Sequence, residues 1–205
     1  MQAIKAVIFD LGGVLIDWNP EYLYRKIFTD PEEMRFFLSE ICTPDWNEQQ
    51  DEGRTLNEGT ELLVESFPQY ESEIRAYYGR WQEMLKGPIA PTVNLLRQLK
   101  EEKKVELYAL TNWSAETYPI AYQRYAFLHW FKGVLVSGQE KIRKPFPAIF
   151  QLMCERYSLK PEESLFIDDN ARNVAAAAEL GFHTLHFKGP EKLQKDFIAT
   201  GLLTQ

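Results

Sequence analysis

The chain has 205 residues, of which 45% are hydrophobic, 14% aromatic and 26% charged, a balance that fits one large domain or a core with an insert and excludes disorder. A net charge of −7 and no Lys/Arg stripe exclude a nucleic-acid footprint, although a local basic cluster can still hold a small anionic substrate. Cys42 and Cys154 make neither a disulfide framework nor a ligand pair, no apolar run approaches the ~18 residues of a membrane span, and the start lacks signal-peptide order. No membrane partner is therefore expected, and a reducing cytoplasm is the expected location.

The first predicted element is a strand over 3–9, AIKAVIF, which runs into Asp10 and the pair Gly12 and Gly13. About 90 residues then precede the next strand, far more than a crossover of ~10–12 requires. Their pattern is helical. Asp30 before Pro31 starts one helix, PEEMRFFLSEIC, and ESEIRAYYGRWQEML sets Ile74, Tyr77, Tyr78, Trp81, Met84 and Leu85 on one face as the insert's own core. KGP at 86–88 breaks the pattern, so 17–87 is read as a helical insert and 1–16 with 88–205 as the core. Strands then follow at 105–110, 133–137, 164–167 and 183–187, interleaved with helices over 91–103, 115–127, 146–157 and 171–180. Pro91 suits a first turn and Gly181 the position past a helix end. Buried strands alternating with helices predict an α/β fold with a parallel sheet.

Four of these strands end in a polar group. Asp10 follows the first, Thr111 and Asn112 (in LTNWS) the second, Lys141, Arg143 and Lys144 (in QEKIRKP) the third, and Asp168 and Asp169 (in FIDDN) the fourth. Taken singly, each has an ordinary explanation as a glycine turn, a helix cap, a solvated loop or an acidic first turn. Together they place a nucleophile, a hydroxyl, a cation and an acidic pair at the strand ends where open α/β sheets bind ligands. That set suits phosphoryl transfer. A carboxylate attacking a phosphate dianion needs its charge neutralised, and Mg²⁺ held by Asp10 and the acidic pair would do so. Lys144 adds a fixed positive charge, Thr111 a donor, and Asp10 would carry a transient aspartyl-phosphate.

At these residues the sequence resembles the haloacid dehalogenase superfamily, with FDLGGVL, LTN, RKP and FIDDN matching its four motifs in order and the insert lying where the family places a helical cap. The resemblance implies a Rossmann-like core with the Asp10 strand central, and a cap over 17–87 that closes on the site and selects the substrate. It makes Asp10 the nucleophile and Thr111 and Lys144 the phosphoryl holders. Asp10, the Gly12 carbonyl and Asp169 would bind Mg²⁺, with Asp168 acting directly or through a water. Asn112 becomes a secondary substrate contact, while Trp18 and Trp113 are candidate substrate walls.

One departure stands out. Phosphatases of this superfamily usually carry a general acid two residues after the nucleophile, and that position here is Gly12. Such an acid is worth ~10²–10⁴ in rate. Three answers are open. The leaving group needs little protonation, as in a sugar 1-phosphate, which the DLG form favours through its likeness to glucose-1-phosphate phosphatases. A cap or hinge residue supplies the proton, Asp17 being the near candidate in sequence. Or the leaving group is a halide, as in a 2-haloacid dehalogenase, although two acids beside the nucleophile would repel that carboxylate substrate. A non-catalytic binding module is a fourth reading, opposed by the retention of the whole polar set. The expected function is Mg²⁺-dependent hydrolysis of a small phosphate monoester; oligomeric state is not legible.

Overall fold

The computed structural model describes residues 3–204. Ala6–Phe9 forms β1, and after a tight turn Ile16–Trp18 forms β2. β3 (Leu85–Pro88) pairs antiparallel with β2 as a separate two-stranded ribbon. The chain between the two is helical: α1 (Glu21–Tyr24), α2 (Pro31–Phe36), α3 (Pro44–Asp51), α4 (Leu56–Ser66) and α5 (Glu71–Gly79). It forms an α-helical cap joined to the core through the ribbon.

The core strands are β4 (Glu106–Thr111), β5 (Gly133–Val136), β6 (Ser164–Asp168) and β7 (His183–His186). With β1 they form a five-stranded parallel sheet in the order β5-β4-β1-β6-β7, which puts β1 at its centre. The connecting helices are α6 (Ala90–Glu102), α7 (Tyr118–Arg124), α8 (Ser137–Glu140), α9 (Pro147–Tyr157), α10 (Ala171–Glu179) and the C-terminal α11 (Pro190–Ala199).

The strands read as continuous apolar runs because helices cover both faces of the sheet. In β1, Val7 and Phe9 pack with Leu96 and Leu99 of α6 and Phe197 of α11, whereas Ala6 and Ile8 turn to Phe150 and Met153 of α9. This alternation is the period of two that any strand imposes. Pro91 lies in the first turn of α6, and Gly181, at φ +89°, follows α10 as its position predicted.

Three predicted helices are shorter than their sequence patterns. The segment from Pro31 passes into a π-helical turn at Phe37–Ile41, and 115–127 retains α-helix only over Tyr118–Arg124 before a 3₁₀ turn. The run ESEIRAYYGRWQEML breaks after Gly79, where Arg80 leaves helical geometry at φ −124° and ψ 22°. Trp81–Met84 then forms a separate 3₁₀ turn. A glycine and one non-helical residue stop a helix that the apolar spacing alone would carry to Leu85.

Candidate active site

Asp10 leaves the C-terminal end of β1 and is only 8% exposed. Its backbone N–H donates to the Ile167 carbonyl of β6 at 2.8 Å, and its Oδ1 accepts the Leu11 N–H at 2.8 Å. Gly13, at φ +70°, completes the turn that follows, and a Cβ there would meet Asp169 Oδ2 at 2.2 Å. The glycine therefore does two things. It allows the left-handed turn, and it leaves room for the Asp169 carboxylate beside the nucleophile.

Lys144 arrives from the loop after α8 and is fully enclosed. Its Nζ lies 2.9 Å from Asp10 Oδ1, 2.6 Å from Asp168 Oδ2 and 2.9 Å from the Leu110 carbonyl, so all three ammonium donors have partners. Asn112 fixes that loop. Its Nδ2 donates to the Lys144 carbonyl at 2.9 Å and its Oδ1 accepts the Lys144 N–H at 2.8 Å. Asn112 lines the cleft, yet both ends of its amide are committed to Lys144.

Asp168, fully buried, accepts from Lys144, from the Asn170 N–H at 2.8 Å and at both oxygens from Asn173 Nδ2 at 3.1 and 3.0 Å. Those four bonds occupy its lone-pair positions. Asp169, by contrast, is exposed toward solvent. The acidic pair is thus divided: one carboxylate anchors the lysine and the other faces outward.

Burial pushes the Asp10 carboxyl up to about 7, against the opposing pull of Lys144, with Asp168 and Asp169 adding to the rise. Burial and Asp168 likewise hold Asp169 above its ordinary range. For Lys144, burial alone would lower the ammonium pKa, but Asp10 and Asp168 outweigh it and leave it raised, hence charged. Carboxylate oxygens of Asp10, Asp168 and Asp169 lie within 4.8 Å of one another, but the lone pairs of Asp168 are already taken, so Asp10 and Asp169 are the two of the three free to ligate directly. Oxygen donors of this hardness suit Mg²⁺, and two carboxyls held above their usual range gain most from a cation placed between them. The donor set fits the metal.

Thr111 ends β4 and is 1% exposed, and its Oγ1 is buried with no hydrogen-bond partner among the described residues. A buried hydroxyl left without a partner is costly and keeps its donor free, although Thr111 is not among the residues lining the cleft. An open cleft of about 530 Å³ is lined by Asp10, Gly12, Trp18, Asn112, Lys144 and Asp169, with Asp51 and Asn47 contributed by the cap. Trp18, Trp81 and Trp113 wall an adjoining recess of about 80 Å³ that also meets Gly12 and Asp51. Within it Trp113 Nε1 donates to Thr117 Oγ1 at 3.0 Å, and its ring packs on Trp81 at 5.8 Å.

Several residues fall elsewhere than the sequence suggested. Asp17, a candidate proton donor, lies in β2 and accepts Tyr22 Oη at 2.9 and 3.1 Å; it is not among the residues lining the cleft. The three cations of QEKIRKP separate: Lys144 enters the site, Lys141 sits in a left-handed turn at φ 58°, and Arg143 pairs with Glu48 and Glu52 of the cap at 3.1 and 3.2 Å. Tyr78 and Trp81, read as cap core, wall the recess as well. Sequence reasoning missed Asp51 and Asn173. Asn173, five residues after Asp168 in the opening turn of α10, carries a weak local signal; Asp51 sits in the polar run NEQQDEGR and carries none.

A family model for haloacid dehalogenase-like hydrolases matches residues 4–181. A sesquiterpene phosphatase of Aspergillus oryzae, astK, is 30% identical over 188 residues, covering 89% of each chain. A phosphorylated carbohydrates phosphatase of Thermotoga maritima is 25% identical, covering 89% of this chain and 84% of that protein. Among solved structures, a HAD family enzyme of Bacteroides thetaiotaomicron, in complex with magnesium and inorganic phosphate, superposes with a TM-score of 0.66 at 29% identity, over 91% of this chain and 95% of that one.

Proposed function

The chain belongs to the haloacid dehalogenase-like hydrolases, and on that premise we propose that it is a Mg²⁺-dependent phosphatase of small phosphate monoesters that works through an aspartyl-phosphate on Asp10. The observation that carries this reading is the convergence of an ion-paired buried carboxylate, an enclosed cation and an unpartnered hydroxyl at the ends of adjacent parallel strands. Phosphatases recur among its relatives. The dehalogenase alternative is weaker, because the Asp10 and Asp169 carboxylates that line the cleft oppose a carboxylate substrate and favour a metal.

Asp10, Asp169 and the Gly12 carbonyl would hold Mg²⁺, which when bound neutralises the phosphoryl oxygens. Asp10 attacks phosphorus in line with the ester oxygen. Lys144 keeps Asp10 oriented and compensates the charge gathering on the phosphoryl group, and Thr111 Oγ1 donates to one of its oxygens. Asp168 acts through Lys144, and Asn112 through the loop that carries it. The leaving group occupies the aromatic recess, against Trp18 and Trp113. Sugar 1-phosphates are among the substrates this reading includes.

The test is phosphate release from sugar 1-phosphates, sugar 6-phosphates and aryl phosphates, each with Mg²⁺ and with EDTA, by the wild type and Asp10→Asn. Turnover that needs Mg²⁺ and disappears in Asp10→Asn is expected. Chloride release from 2-chloropropionate without metal, and no phosphate from any ester, would replace the phosphatase with a dehalogenase.

A further inference from the structure

Position 12 cannot move a proton, and Asp17 is held by Tyr22 away from the cleft. The cap offers another acid. Asp51 is the last residue of α3, and it lines both the open cleft, with Asp10 and Lys144, and the aromatic recess, with Gly12. It therefore stands where the phosphoryl site and the leaving-group site meet.

Its carboxyl is held in place. Oδ2 accepts Asn47 Nδ2 at 3.0 Å; Asn47 Oδ1 accepts Tyr78 Oη at 3.0 Å; and Tyr78 Oη accepts Gln50 Nε2 at 2.9 Å. This chain of cap residues leads from the cap interior to the Asp51 carboxyl at the cleft, whereas Glu48, which also lines it, is paired with Arg143 and Arg172. The backbone is pinned as well, since Ser137 Oγ, at the start of α8, donates to the Asp51 carbonyl and accepts the Trp113 N–H at 2.9 Å. The end of α3 is thus fixed against the ends of β4 and β5.

We infer that Asp51 is the general acid and base of the reaction, supplied by the cap in place of the residue absent at position 12. This rests on the phosphatase reading above and adds the proton path to it. In the first step Asp10 Oδ bonds to phosphorus, the bond from phosphorus to the ester oxygen breaks, and the Asp51 proton passes to that oxygen, so the product leaves as an alcohol. In the second step a water oxygen bonds to phosphorus, its proton returns to Asp51, and the bond to Asp10 breaks to release inorganic phosphate and the free carboxylate. No other reactant is needed.

The electrostatics of the position agree. Burial and the neighbouring Glu48 raise the Asp51 carboxyl to about 7, against the Ser114 backbone N–H, Arg143 and Lys144. Tyr77 and Tyr78 of α5 are the other titratable groups facing it. An acid so placed exchanges protons near neutral pH. Its presence frees the enzyme from a need for good leaving groups, and sugar 6-phosphates, whose alkoxide would be a poor leaving group without protonation, come within reach.

The experiment compares kcat/KM of the wild type, Asp51→Asn and Asp51→Glu on 4-nitrophenyl phosphate, a sugar 1-phosphate and a sugar 6-phosphate, with saturating Mg²⁺. Asp51→Asn is expected to lose ~10²–10⁴-fold on the sugar 6-phosphate, but less than about tenfold on 4-nitrophenyl phosphate, whose phenolate leaves unaided. The basic limb of the pH profile for the 6-phosphate should vanish with it, and Asp51→Glu should recover part of the loss. An equal loss on all three esters would make Asp51 a cap-docking residue and overturn the inference, as would an unchanged profile. If the wild type releases no phosphate from any ester, the phosphatase reading falls and this inference with it.

Discussion

Replacing Asp168 with Asn tests whether the site is built around an enclosed ion pair. The substitution preserves shape but makes one end of the side chain a donor. In one orientation the new amide faces the Lys144 ammonium, which loses its 2.6 Å partner; in the other it faces the Asn170 N–H, now 2.8 Å from Oδ1. Both orientations leave a buried donor opposed. Lys144 and Asp168 have no exposed side-chain surface, so water cannot screen the loss. Breaking one partner of such a pair typically costs ~3–5 kcal/mol. Asp10 at 2.9 Å and the Leu110 carbonyl retain part of the ammonium's support, which places the expected cost near the lower end of that range. For a chain of this size each kcal/mol moves Tm by ~2–4 °C, so the drop should be about 6–12 °C. Thermal and urea unfolding of the metal-free proteins would measure it, with EDTA present so that metal binding does not contribute. A loss below about 1 kcal/mol, in the range of an exposed ion pair, would refute the claim that Lys144 is held by an enclosed carboxylate.

Thr111→Val removes an unpartnered buried hydroxyl at nearly constant volume. The metal-free variant should unfold at the same temperature as the wild type or higher, while kcat falls by ~10²-fold, the cost of one lost transition-state donor; unchanged turnover would remove Thr111 from the phosphoryl site. Gly13→Ala forces a Cβ against the Asp169 carboxylate at φ +70° and should cost ~1–2 kcal/mol from the left-handed backbone alone. It should also raise the Mg²⁺ concentration for half-maximal activity, read from a metal titration. Arg143→Ala removes the contacts to Glu48 and Glu52 that tie cap to core; it should raise KM more than it lowers kcat, and fall within about 1 kcal/mol of wild-type stability because those carboxylates are partly solvated.

The α/β core was legible because its signals are local. A buried parallel strand is a continuous apolar run, and each polar group of the site follows such a run directly, so Asp10, Thr111 and Asp168 could be placed from order alone. Gly13 and Gly181 marked turns that only positive φ allows. The cap was less legible, since the stop at Gly79 and Arg80 competes with an apolar spacing that continues to Leu85. The resemblance assigns Asp169 to the metal and leaves Asp168 acting directly or through a water; the arrival of Lys144 and Asn173 at Asp168 gives it a different duty that the dipeptide does not carry. Asp51 left no trace in sequence because its meaning comes from closure of α3 against α8, a contact across 86 positions in the Ser137 bond.

The most direct measurement of the central claim is acid-quenched mass spectrometry of the protein during turnover of 4-nitrophenyl phosphate with Mg²⁺. The account predicts that the peptide containing Asp10 gains the mass of one phosphoryl group, and that EDTA or Asp10→Asn abolishes both this adduct and phosphate release. Phosphate release that persists in Asp10→Asn would contradict the account, because the phosphoryl group would then reach water without passing through Asp10.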